Sequence, residues 1–332
     1  MKKKLVFLIA FSFCCFSIFC AAVGGVSWME DPYYGLSSEE YIAAIGSGKT
    51  STDADHNAAL EIASILSQDI EAVSTLEQKA TNTDEESSYL TNIQTTSALK
   101  DISGLSITDR TTTKDGRFFS RAVLNKADAA RNYSLLFNEN ESKINSLISL
   151  AEKKSASFEK CTMLVNAYKL ALENDEYKAL LSILRASVRK IPLYENSSAV
   201  MQMAQSAFEE ISVQVKVNGD STGRLAAAFA SSIHQTGIST NTNKEDSPYI
   251  LLCDASFVND GVKEETVFIR YNLDVRLVIR ESGKEILSFS INARKGKLTE
   301  HDAMQTALRD AESKIKEDFS QKFLTMFESP VN

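Results

Sequence analysis

The chain has 332 residues, 43% hydrophobic and 24% charged, with only 13 Gly and 4 Pro. That composition excludes a disordered or collagen-like chain and provides for a sizeable core, and the length suggests about two domains at ~150 residues each. The formal charge is −8, with Lys2, Lys3 and Lys4 at the N-terminus. The remainder is more acidic still and is a poor partner for nucleic acid, whose phosphates need clustered Lys and Arg.

Lys2-Lys3-Lys4 precede an uncharged, mostly apolar run from Leu5 to Phe19, then Ala21, Ala22, Gly24 and Gly25. This is the layout of a secretory signal. Cys20 at −3 and Ala22 at −1 place signal-peptide cleavage after Ala22. Two alternatives stay open. Cys20 is a site for lipidation, with the acceptable Ser17 three residues before it but the bulky Phe19 immediately before it. A retained anchor is the other, since Leu5 to Val26 reaches spanning length. The leader holds three of the five Cys. Cys161 and Cys253 remain, read as small buried hydrophobes, with a disulfide as the alternative an oxidising compartment permits. His56, His234 and His301 are isolated, without the close His or Cys partners of a structural zinc site.

After Trp28-Met29-Glu30-Asp31-Pro32, the run Tyr41 to Ile45 reads as a strand that ends in a turn at Gly46-Ser47-Gly48. A helix follows, capped by Ser51 or Thr52, with Ala58, Ala59, Ile62, Ile65, Leu66, Ile70 and Val73 as its apolar stripe. Thr81 to Ser97 is either an edge strand or a loop. Two strand-like runs around Asp115-Gly116 predict a hairpin.

From Lys126 to Lys190 the pattern predicts three successive helical segments, with stripes around Ile144–Ala151, Phe158–Tyr168 and Tyr177–Val188, stopped by Pro192. These stripes are expected to pack within the chain, with a partner-binding face as the alternative. A helix at Ser198 to Glu210 and a strand at Ile211 to Val217 follow, then a turn at Asn218-Gly219-Asp220. A helix from Ser221 to Gln235 ends at Gly237, and Tyr249 to Val258 forms the next strand. Ile269, Tyr271, Leu273, Val275, Leu277 and Ile279 alternate with Arg270, Asn272, Asp274, Arg276 and Arg280, which predicts one buried and one wet face. The turn Glu281 to Lys284 joins this run to Leu287, Phe289, Ile291 and Ala293 as an antiparallel hairpin. A final helix, capped by Thr299 with Asp302, carries Ala303, Ala307, Ala311, Ile315, Phe319 and Phe323 on one face.

Gly46-Ser47-Gly48-Lys49-Thr50 between strand and helix invites a phosphate-loop reading, with Lys49 and Thr50 at phosphate and magnesium. The required Gly five places before Gly48 is Ala43, so the spacing fails. No cofactor is expected, and neither a catalytic nor a metal-ligating set is readable.

The order Trp28, Asp31-Pro32, Tyr41-Ile42, Ile45-Gly46, Gly48, Ala54-Asp55, Ala58, Glu61-Ile62-Ala63, then Leu99, Ile102-Ser103-Gly104-Leu105, Ile107 and Asp115 to Lys126, resembles the LPP20-type lipoprotein domain of bacterial envelopes over about residues 28 to 135. The resemblance implies an α+β domain with one helix on a small sheet, found in outer-membrane lipoproteins and around flagellar outer rings, and it brings no catalytic residues. The poor lipobox at Cys20 departs from the family. Ile211 to Phe327 is similar, in pattern only, to the α/β module of periplasmic proteins such as the N-terminal part of TolB and the middle part of the flagellar protein FlgT.

The expected organisation is a signal peptide at 1–22, an LPP20-like α+β domain at 23–130, a helical connector at 131–192 and an α/β domain at 193–332. The expected function is that of an exported, non-enzymatic structural or assembly factor that binds envelope proteins in the periplasm or at the periplasmic face of the outer membrane. Membrane contact is expected only through a lipidated Cys20 or a retained leader. A carrier of small apolar ligands and an unrecognised periplasmic hydrolase are the alternatives.

Overall fold

The computed structural model describes residues 26–78, 90, 102, 104–184, 197–241 and 247–328. The leader with Cys20 and Ala22, the stretch Thr81 to Ser97 apart from Leu90, and Leu99, Val188 and Pro192 lie outside the described residues. The protein is α+β and divides into two compact units, Met1–Glu61 with Ser106–Val123, and Ile62–Leu105 with Leu124–Asn332.

The first unit holds α1 (Ser27–Glu30), β1 (Tyr41–Gly48), the start of α2 (Ser51–Gln78), β2 (Leu105–Thr112) and β3 (Phe118–Asn125). The sheet order is β1-β3-β2. As the central strand, β3 is buried on both faces from Ser120 to Val123. The expected glycine turn after Ile45 is absent; β1 runs on through Gly46, Ser47 and Gly48. The glycines serve close approach instead. A Cβ on Gly46 would lie 2.0 Å from the Ala58 nitrogen and 2.4 Å from the Ala54 carbonyl oxygen, so only a strand without that carbon lets α2 lie this near. The cap of α2 is Thr50 rather than Ser51 or Thr52: Asp53 N donates to Thr50 Oγ1 at 3.1 Å and Thr50 N donates to Asp53 Oδ2 at 3.2 Å, a reciprocal capping box. The β2–β3 hairpin turns at Asp115-Gly116, with Gly116 at φ 82° and Thr113 N donating to Arg117 O at 2.9 Å.

The second unit continues with α3 (Lys126–Glu152) and α4 (Phe158–Ile183). Two helices therefore replace the three expected segments in the described part, because no Gly or Pro interrupts Phe158 to Ile183 and both of its stripes wind onto one helix. Asn125 caps α3 and Ser157 caps α4. Then come α5 (Ser197–Glu209), β4 (Ser212–Asn218), α6 (Arg224–His234), β5 (Ser239–Asn241), β6 (Tyr249–Lys263), β7 (Thr266–Ile279) and β8 (Glu285–Lys297). The sheet order is β5-β4-β6-β7-β8. β4 runs parallel to β6 with α6 in the crossover, whereas β6, β7 and β8 form an antiparallel meander. The β7–β8 hairpin matches the alternation in the sequence. β6 was expected to end at Val258 but reaches Lys263, and it pairs with β7 across the two-residue turn Glu264-Glu265, both at positive φ (50° and 61°). Hairpin turns of that hand ordinarily use Asn or Gly, which hides this one.

One apolar cluster unites the inward face of the sheet with the helices, and residues 131–184, expected as a connector, contribute Ile148, Cys161, Leu164 and Tyr168 to it. The C-terminal helix is α7 (Glu300–Lys314), a π-helical turn (Ile315–Phe319) and α8 (Ser320–Glu328). Its buried apolar positions are Ala303, Ala307, Ala311, Ile315, Phe319, Phe323 and Phe327, with Ser320 buried beside them. A spacing of four overshoots an α-helical turn by about 40° per step, so such a stripe winds around the helix. The π turn holds more residues per turn and takes back roughly a quarter of a turn, keeping the phenylalanines on the core.

Candidate functional site

In the first unit, two sets of polar side chains tie the helices and strands together. Asp55 on α2 accepts from Arg110 Nε at 3.0 Å and from Ser120 Oγ at 2.6 Å. The Arg110 hydrogen bond, helped by Ser120, outweighs burial and holds the Asp55 carboxyl below its ordinary range. Arg121, buried on β3, donates to Asp109 at 2.8 Å and to the Tyr34 carbonyl at 2.8 Å, and its guanidinium lies 5.9 Å from the Trp28 ring. Burial works to raise the Asp109 carboxyl, but Thr108 and Arg121 outweigh it and the net shift is downward. The polar groups of each set are engaged with one another.

Lys49 and Thr50, weighed above as phosphate-loop residues, are not arranged as one: the Thr50 hydroxyl and amide are both engaged in the cap of α2, and the glycines face the helix backbone. Cys161 and Cys253 are free and buried, and burial pushes both thiols up to about 12. His56 and His301 are exposed, and His234 Nε2 lies 2.7 Å from Thr240 Oγ1. Among the described residues no three His, Cys, Asp or Glu converge as a metal site, and no helix is long and apolar enough to cross a membrane.

The outward face of β6, β7 and β8 is an ordered polar surface. Strand pairing aligns Leu252, Arg276 and Ser288 in one row, Asp254, Asp274 and Ser290 in the next, then Ser256, Asn272 and Asn292, and finally Val258, Arg270 and Arg294. Like charges directly opposite one another are unfavourable in a sheet, so the Asp254–Asp274 row needs its donors. Arg276 reaches Asp254 at 3.3 Å, Asn218 donates to Asp254 at 2.7 Å, and Asp274 accepts from Ser290 at 2.5 Å and Asn272 at 2.7 Å. The Ser290 and Asn272 hydrogen bonds hold the Asp274 carboxyl below its usual range. Asp260 gathers Arg270 at 3.1 Å and Arg294 at 2.6 Å, and the Arg294 guanidinium stacks 3.8 Å from the Phe268 ring. Near this end of the meander Val258, Val262 and Leu298 are 59%, 68% and 77% exposed. The sequence alternation marked this face as wet; the far end, with Val262 and the β6 extension, was missed because Gly261 and the Glu264-Glu265 turn interrupt the pattern.

A concavity of about 580 Å³ lies among the end of α3, the start of α4 and α5. Ala151, Leu164, Met203 and Ala207 give it apolar walls, while Lys160 and Glu210, paired at 2.7 Å, stand in its lining with Gln202 and Ser206.

No family model matches the chain, and no curated protein does. Among solved structures, the secreted protein HP1454 from Helicobacter pylori aligns over 86% of this chain and 97% of its own, at 12% identity and a TM-score of 0.47. A minor lipoprotein from Acinetobacter baumannii aligns over 33% of this chain and 92% of its own (14% identity, TM-score 0.27), and the rare lipoprotein B from Shewanella oneidensis over 35% and 94% (12% identity, TM-score 0.26). These similar structures are secreted proteins and lipoproteins, and with TM-scores below 0.5 none of them assigns a family or an activity to this chain.

Proposed function

We propose that this is an exported, non-enzymatic envelope protein with an LPP20-like first unit, working in the periplasm or at the periplasmic face of the outer membrane by binding other envelope proteins. Export rests on the Lys2–Phe19 leader with its cleavage position after Ala22, or its lipidation position at Cys20. The observation that carries the binding role is the outward face of the meander. Ion pairs hold its side chains in order, and twelve aligned positions on three strands span about 400 Å², roughly half of one side of a standard protein interface. Cross-linking in cells followed by mass spectrometry, comparing the natural chain with R270E/R294E, tests the reading. A defined set of envelope proteins captured by the first and lost by the second is the expected outcome. Equal capture by both would remove the face from the function, and recovery of the full-length chain with leader intact in the cytosol would remove export.

The concavity beside α5 favours a second reading, a carrier of a small apolar ligand, since its volume and apolar walls fall within the range of ligand sites. Lipid extracted from the purified protein, and reduced by M203W, which fills the space, would support it.

A further inference from the structure

We propose that the concavity beside α5 takes a single-chain amphiphile with a cationic head, its chain lying along α5 and its head seated where α3 and α5 end. This rests on the carrier reading above and adds the chemistry of the ligand. Ala199, Met203, Ser206 and Glu210 follow one another at three- and four-residue spacing, so they lie on one side of α5 and line the space over about 16 Å of its length. That length suits an extended apolar chain. Ala151 and Ala207 are buried under the space and too short to fill it, Leu164 supplies the α4 wall, and Met203 is half-buried and flexible enough to adapt to a chain.

The charges at one end of the space select the head. The five residues between α3 and α4 bring the end of α3 beside the start of α4, and the 2.7 Å pair between Lys160 and Glu210 brings the residue after α5 to the same place. Two carboxylates, Glu152 and Glu210, therefore stand there against one ammonium, Lys160, whose charge is already met by Glu210. Glu152 is exposed and pairs with no cation among the described residues. The backbone adds to the same sign. α3 and α5 both present their negative dipole ends there, and neither has a basic residue in its last turn. The positive end of α4 is answered by Glu159 and by the Ser157 cap, and Lys154 is taken up by Glu159 at 2.8 Å. Lys153 follows α3 but is exposed and stands outside the lining. A carboxylate head would be repelled by Glu152 and by two helix C-termini, whereas an ammonium head is attracted by all three.

Isothermal titration calorimetry on the purified chain from Val23 onward provides the test, with three probes of equal chain length below their micellar concentrations: dodecylammonium, dodecanoate and dodecyl maltoside. Dodecylammonium is expected to bind one to one and about tenfold more tightly than dodecanoate. E152K, which exchanges an attraction for a repulsion at an exposed position, should weaken dodecylammonium about tenfold and leave dodecyl maltoside unchanged. E39K, at an exposed carboxylate of the first unit, should change neither. M203W, which fills the space, should abolish binding of dodecylammonium. Dodecanoate bound as tightly as dodecylammonium overturns this inference, as does a preference indifferent to E152K or an equal loss in E39K; if M203W still abolishes binding in those cases, the carrier reading stands without it. Binding of no probe, or binding indifferent to M203W, removes both. Circular dichroism of each variant confirms that the fold is retained.

Discussion

Gly46 and Ala58 meet backbone to backbone: a Cβ on Gly46 would fall 2.0 Å from the Ala58 nitrogen. The obstacle is main chain on a capped helix, so no side chain can swing away. Gly46→Ala should destabilise the first unit by about 3 kcal/mol or more, the upper end of overpacking costs. Trp28 is the chain's single tryptophan and lies buried in that unit, so its fluorescence in a urea titration reads the loss directly. An unchanged midpoint would mean that the approach of α2 to β1 is not this close.

The Asp55 carboxyl should make the same unit acid-sensitive. Its folded value is depressed by Arg110 and Ser120, so its contribution is fully present above the ordinary carboxylate value near ~4 and is lost as pH falls through the lower, folded value. Asp55→Asn should cost about 1 kcal/mol at neutral pH, discounted for the partial exposure of the pair, and should flatten the acid limb of the Trp28 signal. A variant with the same acid limb as the natural chain would assign the acid response to other carboxylates.

Neither thiol should react in the folded protein. Cys161 and Cys253 are buried and pushed up to about 12, which leaves almost no thiolate at pH 8. A disulfide-exchange reagent applied to the chain from Val23 onward is expected to titrate nothing in buffer and both thiols in guanidinium chloride. Prompt labelling without denaturant would contradict the burial of at least one of them.

The π-helical turn at Ile315–Phe319 gives a prediction that separates a deletion inside it from one after it. Glu317 is exposed, so Glu317→Ala should leave stability nearly unchanged. Deleting Glu317 should let the five-residue π turn close as a four-residue α turn, leaving Phe323 and Phe327 against Phe158 and Phe208, whose rings they approach at 6.0 and 4.9 Å, whereas deleting the exposed Gln321, in the regular helix that follows, should turn both away by about 100°. Losing even one such core ring costs about 3–5 kcal/mol, and thermal unfolding followed by circular dichroism distinguishes the two deletions.

Much of the architecture was legible because period and burial coincide. The two-residue alternation of β7 and the every-fourth-residue stripe from Ala303 to Phe323 each announce one buried face and are buried as read, while on β8 only Ile291 is buried and Leu287, Phe289 and Ala293 are partly covered. Legibility failed where a residue's local preference yielded to its surroundings. Gly46 and Gly48 look like a turn, yet their lack of a side chain serves a helix lying across the strand. Glu264 and Glu265 look like strand or loop, yet both adopt positive φ to close a hairpin. That Asp55, Arg110 and Ser120 form one network could not be read from positions far apart in the chain. The concavity beside α5 had no signature, since its walls are ordinary helix residues brought together by packing.

The first unit is built from two stretches of chain, with β1 hydrogen-bonded to β3 rather than to β2. During synthesis β1 therefore waits without its neighbour until residue 123 has emerged, its apolar strand exposed meanwhile. Completion of the N-terminal part late in the emergence of the chain is the opposite of simple N-to-C folding. It leaves this segment open to capture by a chaperone for longer than its place at the front of the chain implies.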